Sequence, residues 1–207
     1  MPLTLHGWTG RWLAVGLFVS GPLLGLALVA GYDWTRLFRR LTWSQVWLGL
    51  AFAPIALLTS ALVALGVNRF GTTTANPSVD MLAHIPLGQA AQFLASVPLQ
   101  LLGEELITVV VLLAVSAALL RVGASRGPAI AGGWLVSAVV FGALHLPTYQ
   151  WHVLQALLVI GSSRLVLSLP YLWTRNLWVS TLAHIALDGS LMIFALLAGM
   201  AGVRPVP

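Results

Sequence analysis

Only five residues in this chain carry a carboxylate side chain, and two of them, Glu104 and Glu105, stand side by side in an apolar run from Phe93 to Leu120. A carboxylate at membrane depth costs at least ~2.5–3.5 kcal/mol on insertion scales, so a pair without a role should be rare. Two further patches carry groups of matching chemistry: Phe141-Gly142-Ala143-Leu144-His145 and His184-Ile185-Ala186-Leu187-Asp188. Residues four apart share a helix face, so His184 and Asp188 can point at one spot and Phe141 can pack beneath His145. Adjacent residues differ by about 100° around a helix. Glu104 and Glu105 therefore cannot both aim at one point: one faces a shared site and the other a neighbour. A carboxylate and an imidazole around a water form a minimum for general-base hydrolysis, one group taking the proton while donors hold the developing oxyanion.

Each group also has a plain structural reading. His145 could cap a helix that Pro147 closes. His184 with Asp188 could be an interhelical hydrogen-bond pair. A Glu-Glu pair at a helix start is favoured by the helix dipole, but the residues before it are apolar rather than a solvated loop. Taken together, the three patches point to one shared proton-handling site. A proton-coupled transporter would also use such groups, yet the chain shows no inverted repeat or paired broken helices.

The elements that must position these groups are membrane helices. Of the 207 residues, 59% are hydrophobic and 7% charged, against about 25% charged in a soluble domain. The expected fold is all-α, a polytopic transmembrane helical bundle of about seven spans. Cysteine is absent and every basic residue outside histidine is arginine. No basic run is long enough to track phosphates, so the partner expected is the lipid bilayer and not nucleic acid. The first apolar run, about Trp12–Gly31, is too long for a signal-peptide core and is read as a retained helix.

Spans are predicted at about Ser44–Val67, Met81–Val97, Gly103–Leu120, Ala129–His145, Gln150–Leu169 and Asn176–Ala198, at ~20 residues each. Pro98 and Gly103 mark a break between the third and fourth, and Pro170–Arg175 forms a short connection. Residues 1–80 are read as N-terminal helices and 81–200 as a catalytic helical core. With seven spans, one membrane face holds Arg11, Arg69, Arg121, Arg126 and Arg175, and the other Arg36, Arg39, Arg40 and Arg204. Five against four gives no orientation by the positive-inside rule.

The three patches, in this order on separate helices, resemble the CPBP family of intramembrane proteases. That family is related to CAAX prenyl endopeptidases and to bacteriocin-processing or immunity proteins, also called Abi domain proteins. Its pattern is Glu-Glu-x-x-x-Arg, then Phe-x-x-x-His, then His-x-x-x-Asn or Asp. The second is met by Phe141 and His145 and the third by His184 and Asp188. The lead-in Tyr171-x-x-Thr174-x-Asn176-Leu177 is also similar, and the likeness covers about Pro98 to Phe194.

The resemblance implies an endopeptidase acting on a membrane-anchored substrate, either a prenylated CAAX-type end or a leader peptide, in the plasma membrane of a bacterium. Glu104 would be the base that activates water, helped by His145. His184 and Asp188 would make the oxyanion site, and Glu105 would be structural or orient substrate. Zinc on Glu104, His145 and His184 is conceivable, but the tight His-Glu-x-x-His spacing is absent. A cofactor-free Glu/His mechanism is therefore expected. One departure stands out. The motif's Arg position is Val109, and Arg164 is expected to supply the missing cation to Glu105, because an unpaired guanidinium at that depth is costly. The competing readings are an interfacial, snorkelling Arg164 and an inactive membrane partner or immunity protein of the same fold. Oligomeric state is left open.

Overall fold

The computed structural model describes residues 7–201, so Arg204 lies outside the described residues. The described chain is helical throughout, without strands. Helix α1 (Gly7–Ala30) runs into a 3-10 segment, Gly31–Leu37, and α2 spans Trp43–Val67. A short α3 (Pro77–Leu82) precedes α4 (Leu87–Arg121) and α5 (Arg126–Leu144). A π-helical segment, Gln155–Ile160, leads into α6 (Gly161–Thr174), and α7 is Leu177–Met200. Local chemistry sets several of these starts. Thr42 and Gln45 form a capping box at α2, and the Asn76 side chain caps α3 with Pro77 in the first turn.

Among the described residues, six helices, not seven, are long and apolar enough to cross a membrane. The spans predicted on either side of Pro98 and Gly103 are one 35-residue helix. A proline removes one backbone hydrogen bond, and membrane helices tolerate that loss when neighbours cover the site. Gly103 is a packing position instead, with the Phe18 ring of α1 seated where a side chain would stand. Pro170 likewise lies inside α6, which continues to Thr174 rather than ending in a connection.

Helix α4 lies at the centre, against α5, α1 and α7, while α2 packs on α6 and α7. Small residues permit close approach, as is usual between membrane helices. A Cβ on Gly133 would strike Ser116 and the Leu112 carbonyl of α4, and one on Gly142 would strike the Ala156 carbonyl in the π segment. These contacts fix α5 antiparallel to both neighbours, so the end of α5 comes level with Glu104 and Glu105.

The start of α7 is clamped from outside. Buried Asn176 caps it at Trp178 N (3.3 Å). The same side chain accepts from Arg39 N (3.2 Å) and donates to Arg39 O and Gln45 Oε1 (both 3.2 Å). The lead-in residues Thr174 and Asn176 therefore set the register of α7, and with it the height of His184.

Candidate active site

The site has two layers. The lower one is dry. Glu105 is ion-paired with Arg164 of α6, and Arg164 Nε donates to Ser168 Oγ (3.2 Å). The guanidinium lies 5.2 Å from the centre of the Phe141 ring. His184 of α7 donates from Nδ1 to the same carboxylate oxygen, Glu105 Oε1, at 2.9 Å. All three polar side chains are buried, and Glu105 Oε2 and Arg164 Nη2 are left without hydrogen-bond partners. The expected pairing of Arg164 with Glu105 is therefore present. Val109 instead joins an apolar cluster with Leu106, Leu112, Tyr171 and Leu177, where a guanidinium would have no partner.

The upper layer is partly open. The Glu104 side chain is 13% exposed and Asp188 26%, against 1% for Glu105. His184 joins the layers. Its Nε2 lies 3.9 Å from Glu104 Oε2 and 3.7 Å from Asp188 Oδ2, just beyond direct hydrogen-bond range. His145, half-buried at the end of α5, turns its Nδ1 back to the Phe141 carbonyl (2.8 Å), which leaves Nε2 free. Its ring lies 4.5 Å from that of Phe141, while the Phe141 ring is 6.1 Å from His184. His145 makes no direct hydrogen bond to Glu104, His184 or Asp188.

Three contributors escape a motif reading. Gln100, one turn before Glu104 on α4, donates from Nε2 to Glu104 Oε1 (3.1 Å). Its own Oε1 accepts from Arg11 of α1 (3.2 Å), which also reaches Ser96 Oγ (2.6 Å) and covers the Phe93 ring. The spacing of four between Gln100 and Glu104 was visible in the sequence. Nothing local tied Arg11 to a residue 89 positions away. Tyr149, four residues beyond His145, is buried and stacked on it with ring centres 6.4 Å apart. Burial pushes its phenol up to about 12, and the Asp188 and Glu104 carboxylates push the same way, with the Asn76 side chain beside it.

Among the described residues, no three His, Asp or Glu side chains are arranged to hold a metal ion. His184 Nδ1 is committed to Glu105, and its Nε2 stands 3.9 Å from Glu104 Oε2 and 3.7 Å from Asp188 Oδ2. Glu104, His145 and His184 are not gathered into such a set.

Residues 86–190, a little over half of the chain, match the family described as type II CAAX prenyl endopeptidase Rce1-like. The chain belongs to the Rce1-like family. Membership, with six candidate spans among the described residues, makes this an integral membrane member of a peptidase family. The Rce1-like region holds both glutamates, both site histidines, Asp188 and Arg164, and leaves Arg11 outside it. No curated protein and no solved structure matches the chain.

Proposed function

We propose that the chain is an intramembrane endopeptidase that hydrolyses a peptide bond of a membrane-associated substrate with a water activated by Glu104. The observation that carries this reading is the meeting of Glu104 and His184, from separate helices, at the junction of a dry layer and an opening. Gln100 holds one oxygen of Glu104 and leaves Oε2 without a hydrogen-bond partner, as a base requires. His145, whose Nε2 has no protein hydrogen-bond partner, would assist the proton transfer. His184, pinned by Glu105, would donate from a protonated Nε2 to the oxyanion that forms as water attacks, with Asp188 beside it. No step needs a metal or cofactor.

Within this reading, residues 81–200 form the catalytic core and the helices before them support it. The Glu105–Arg164 pair orients rather than stabilises, since a buried ion pair with unsatisfied atoms contributes little to stability. The pair also favours an enzyme over the inactive partner or immunity protein, because the cation absent at Val109 is supplied by Arg164. The location proposed is the plasma membrane of a bacterium.

The test compares peptides released from membranes holding the wild type or Glu104→Ala. At least one membrane-derived peptide should be lost with the variant while the protein stays folded. An identical peptide set would reject hydrolysis. A cellular phenotype that survived both Glu104→Ala and His145→Ala would select the inactive partner.

A further inference from the structure

The turn that follows His145 is built at a conformational cost. Gln150 and Trp151, at φ 52° and 62°, are consecutive left-handed residues, a backbone state that glycine alone adopts freely. Both side chains are exposed, so the turn does not serve to bury either one. What it places is the residue before it. Tyr149 is buried, its N–H donates to the His145 carbonyl (3.1 Å), and its own carbonyl accepts from His152 N (2.9 Å). Strain of this kind persists only where the surrounding structure over-determines it, and it concentrates at functional sites.

The structure that holds this turn comes from the loop between α2 and α3. Gln155 is buried where the π segment begins. Its amide donates to the Thr74 carbonyl (2.7 Å) and accepts from Thr74 N (2.9 Å), exchanging both bonds as a paired strand residue would. His152 Nδ1 accepts from Gln155 N (3.1 Å), and a Cβ on Gly71 would stand 3.3 Å from His152 Nε2. Asn76, the cap of α3, has its side chain beside the Tyr149 phenol. Helix α3 in turn packs on α7, which carries His184 and Asp188. The two loops are thus interlocked around Tyr149.

At His145 the result is an imidazole flanked by two aromatic rings. Phe141 lies 4.5 Å away between ring centres at 39°, and Tyr149 lies 6.4 Å away at 26°. Turning the imidazole would break its Nδ1 bond to the Phe141 carbonyl and disturb both ring contacts. Phe141 comes from the last full turn of α5, whereas Tyr149 comes from beyond its end and owes its place to the interlock. We infer that Tyr149 is a positioning residue for His145, and that the interlocked segments 68–76 and 145–155 hold it in that role. The inference rests on the peptidase reading, in which His145 assists the proton transfer, and extends the apparatus of that site to two loops. The flat face of Tyr149 orients the imidazole, and its hydroxyl fastens the ring beside Asn76. Burial, with the Asp188 and Glu104 carboxylates, holds the phenol up at about 12, so it adds no charge beside those two acids.

Three variants test this on a synthetic peptide spanning a bond whose cleavage is lost with Glu104→Ala. Tyr149→Leu stays apolar but removes the flat face. It should lower kcat about ten- to hundred-fold with KM little changed, the scale of a misplaced catalytic group. Tyr149→Phe restores the face and should recover most of that loss. Gln155→Leu frees Thr74 without touching either ring. Its smaller loss in kcat should not multiply with that of Tyr149→Leu, because both act through one contact. A Phe variant as slow as the Leu variant, a loss confined to KM, or multiplying losses would overturn the assignment. A second measurement needs no substrate and no Tyr149 variant. Carbethoxylation of His145 by diethyl pyrocarbonate, followed by mass spectrometry on the detergent-solubilised protein, should be faster in Gln155→Leu than in the wild type. It should also be faster in Tyr149→Leu, and unchanged in Tyr149→Phe. Equal rates in the wild type and Gln155→Leu would show that the interlock does not hold the ring. Should no peptide depend on Glu104, the peptidase reading fails and the catalytic role of Tyr149 with it, while the modification rates still decide whether Tyr149 fixes His145.

Discussion

Glu104 and Glu105 are neighbours in sequence and belong to different regions. Glu105 is sealed among Arg164, Ser168 and Phe141 and spends its one engaged oxygen on a guanidinium and an imidazole. Glu104 is mostly buried but not sealed, held at a single oxygen by Gln100, with the other 3.9 Å from His184 Nε2. A 100° step around α4 separates the group proposed to orient from the one proposed to react. The comparison teaches that identical chemistry is divided by depth: the dry layer fixes His184, and the open layer keeps a carboxylate free to accept a proton.

The sharpest way to break this comparison is to neutralise Glu104. Glu104→Gln should lower cleavage by about 10²–10⁴-fold, the usual reach of a general base, with the melting temperature of the detergent-solubilised protein little changed. A stability loss matching that of a Glu105 variant would erase the distinction.

Arg164→Met attacks the other layer. It leaves a buried carboxylate unpaired and should cost about 3–5 kcal/mol of stability, read as loss of the monodisperse peak in size-exclusion chromatography. Adding Glu105→Leu should restore the peak but not cleavage. Recovery of cleavage would show that the pair does not orient His184.

Gln100→Leu should reduce kcat about ten-fold with KM unchanged, since a hydrogen bond to a charged group contributes about 1.5–3 kcal/mol. Arg11→Met should reduce it less, and should add nothing in the Gln100→Leu background if the two act in series. Multiplying losses would separate them. The smallest effect is expected at the clamp. Asn176→Ala removes a helix cap and should cost about 1 kcal/mol, seen as a modest fall in melting temperature.

Much of this arrangement was legible in the sequence. The spacing of four in Phe141–His145 and His184–Asp188 identified the faces that meet, and the lone intramembrane Arg164 announced a need for a carboxylate. The span count was not legible, because Pro98 and Gly103 read as a break when taken locally. Continuity there depends on contacts from α1 and α7 that lie far along the chain. For Arg11 the sequence offered only a membrane face, because its partners Ser96 and Gln100 come from tertiary packing alone.

The path from Arg11 through Gln100 to Glu104 begins outside the region that matches the Rce1-like family. On the proposed reading, a fragment cut to residues 86–190 would retain every acid and imidazole of the site and still be an impaired catalyst. Its reacting carboxylate would have lost the distant cation that polarises its amide partner. Transplanting the signature helices into another scaffold would therefore carry the reagents without their tuning.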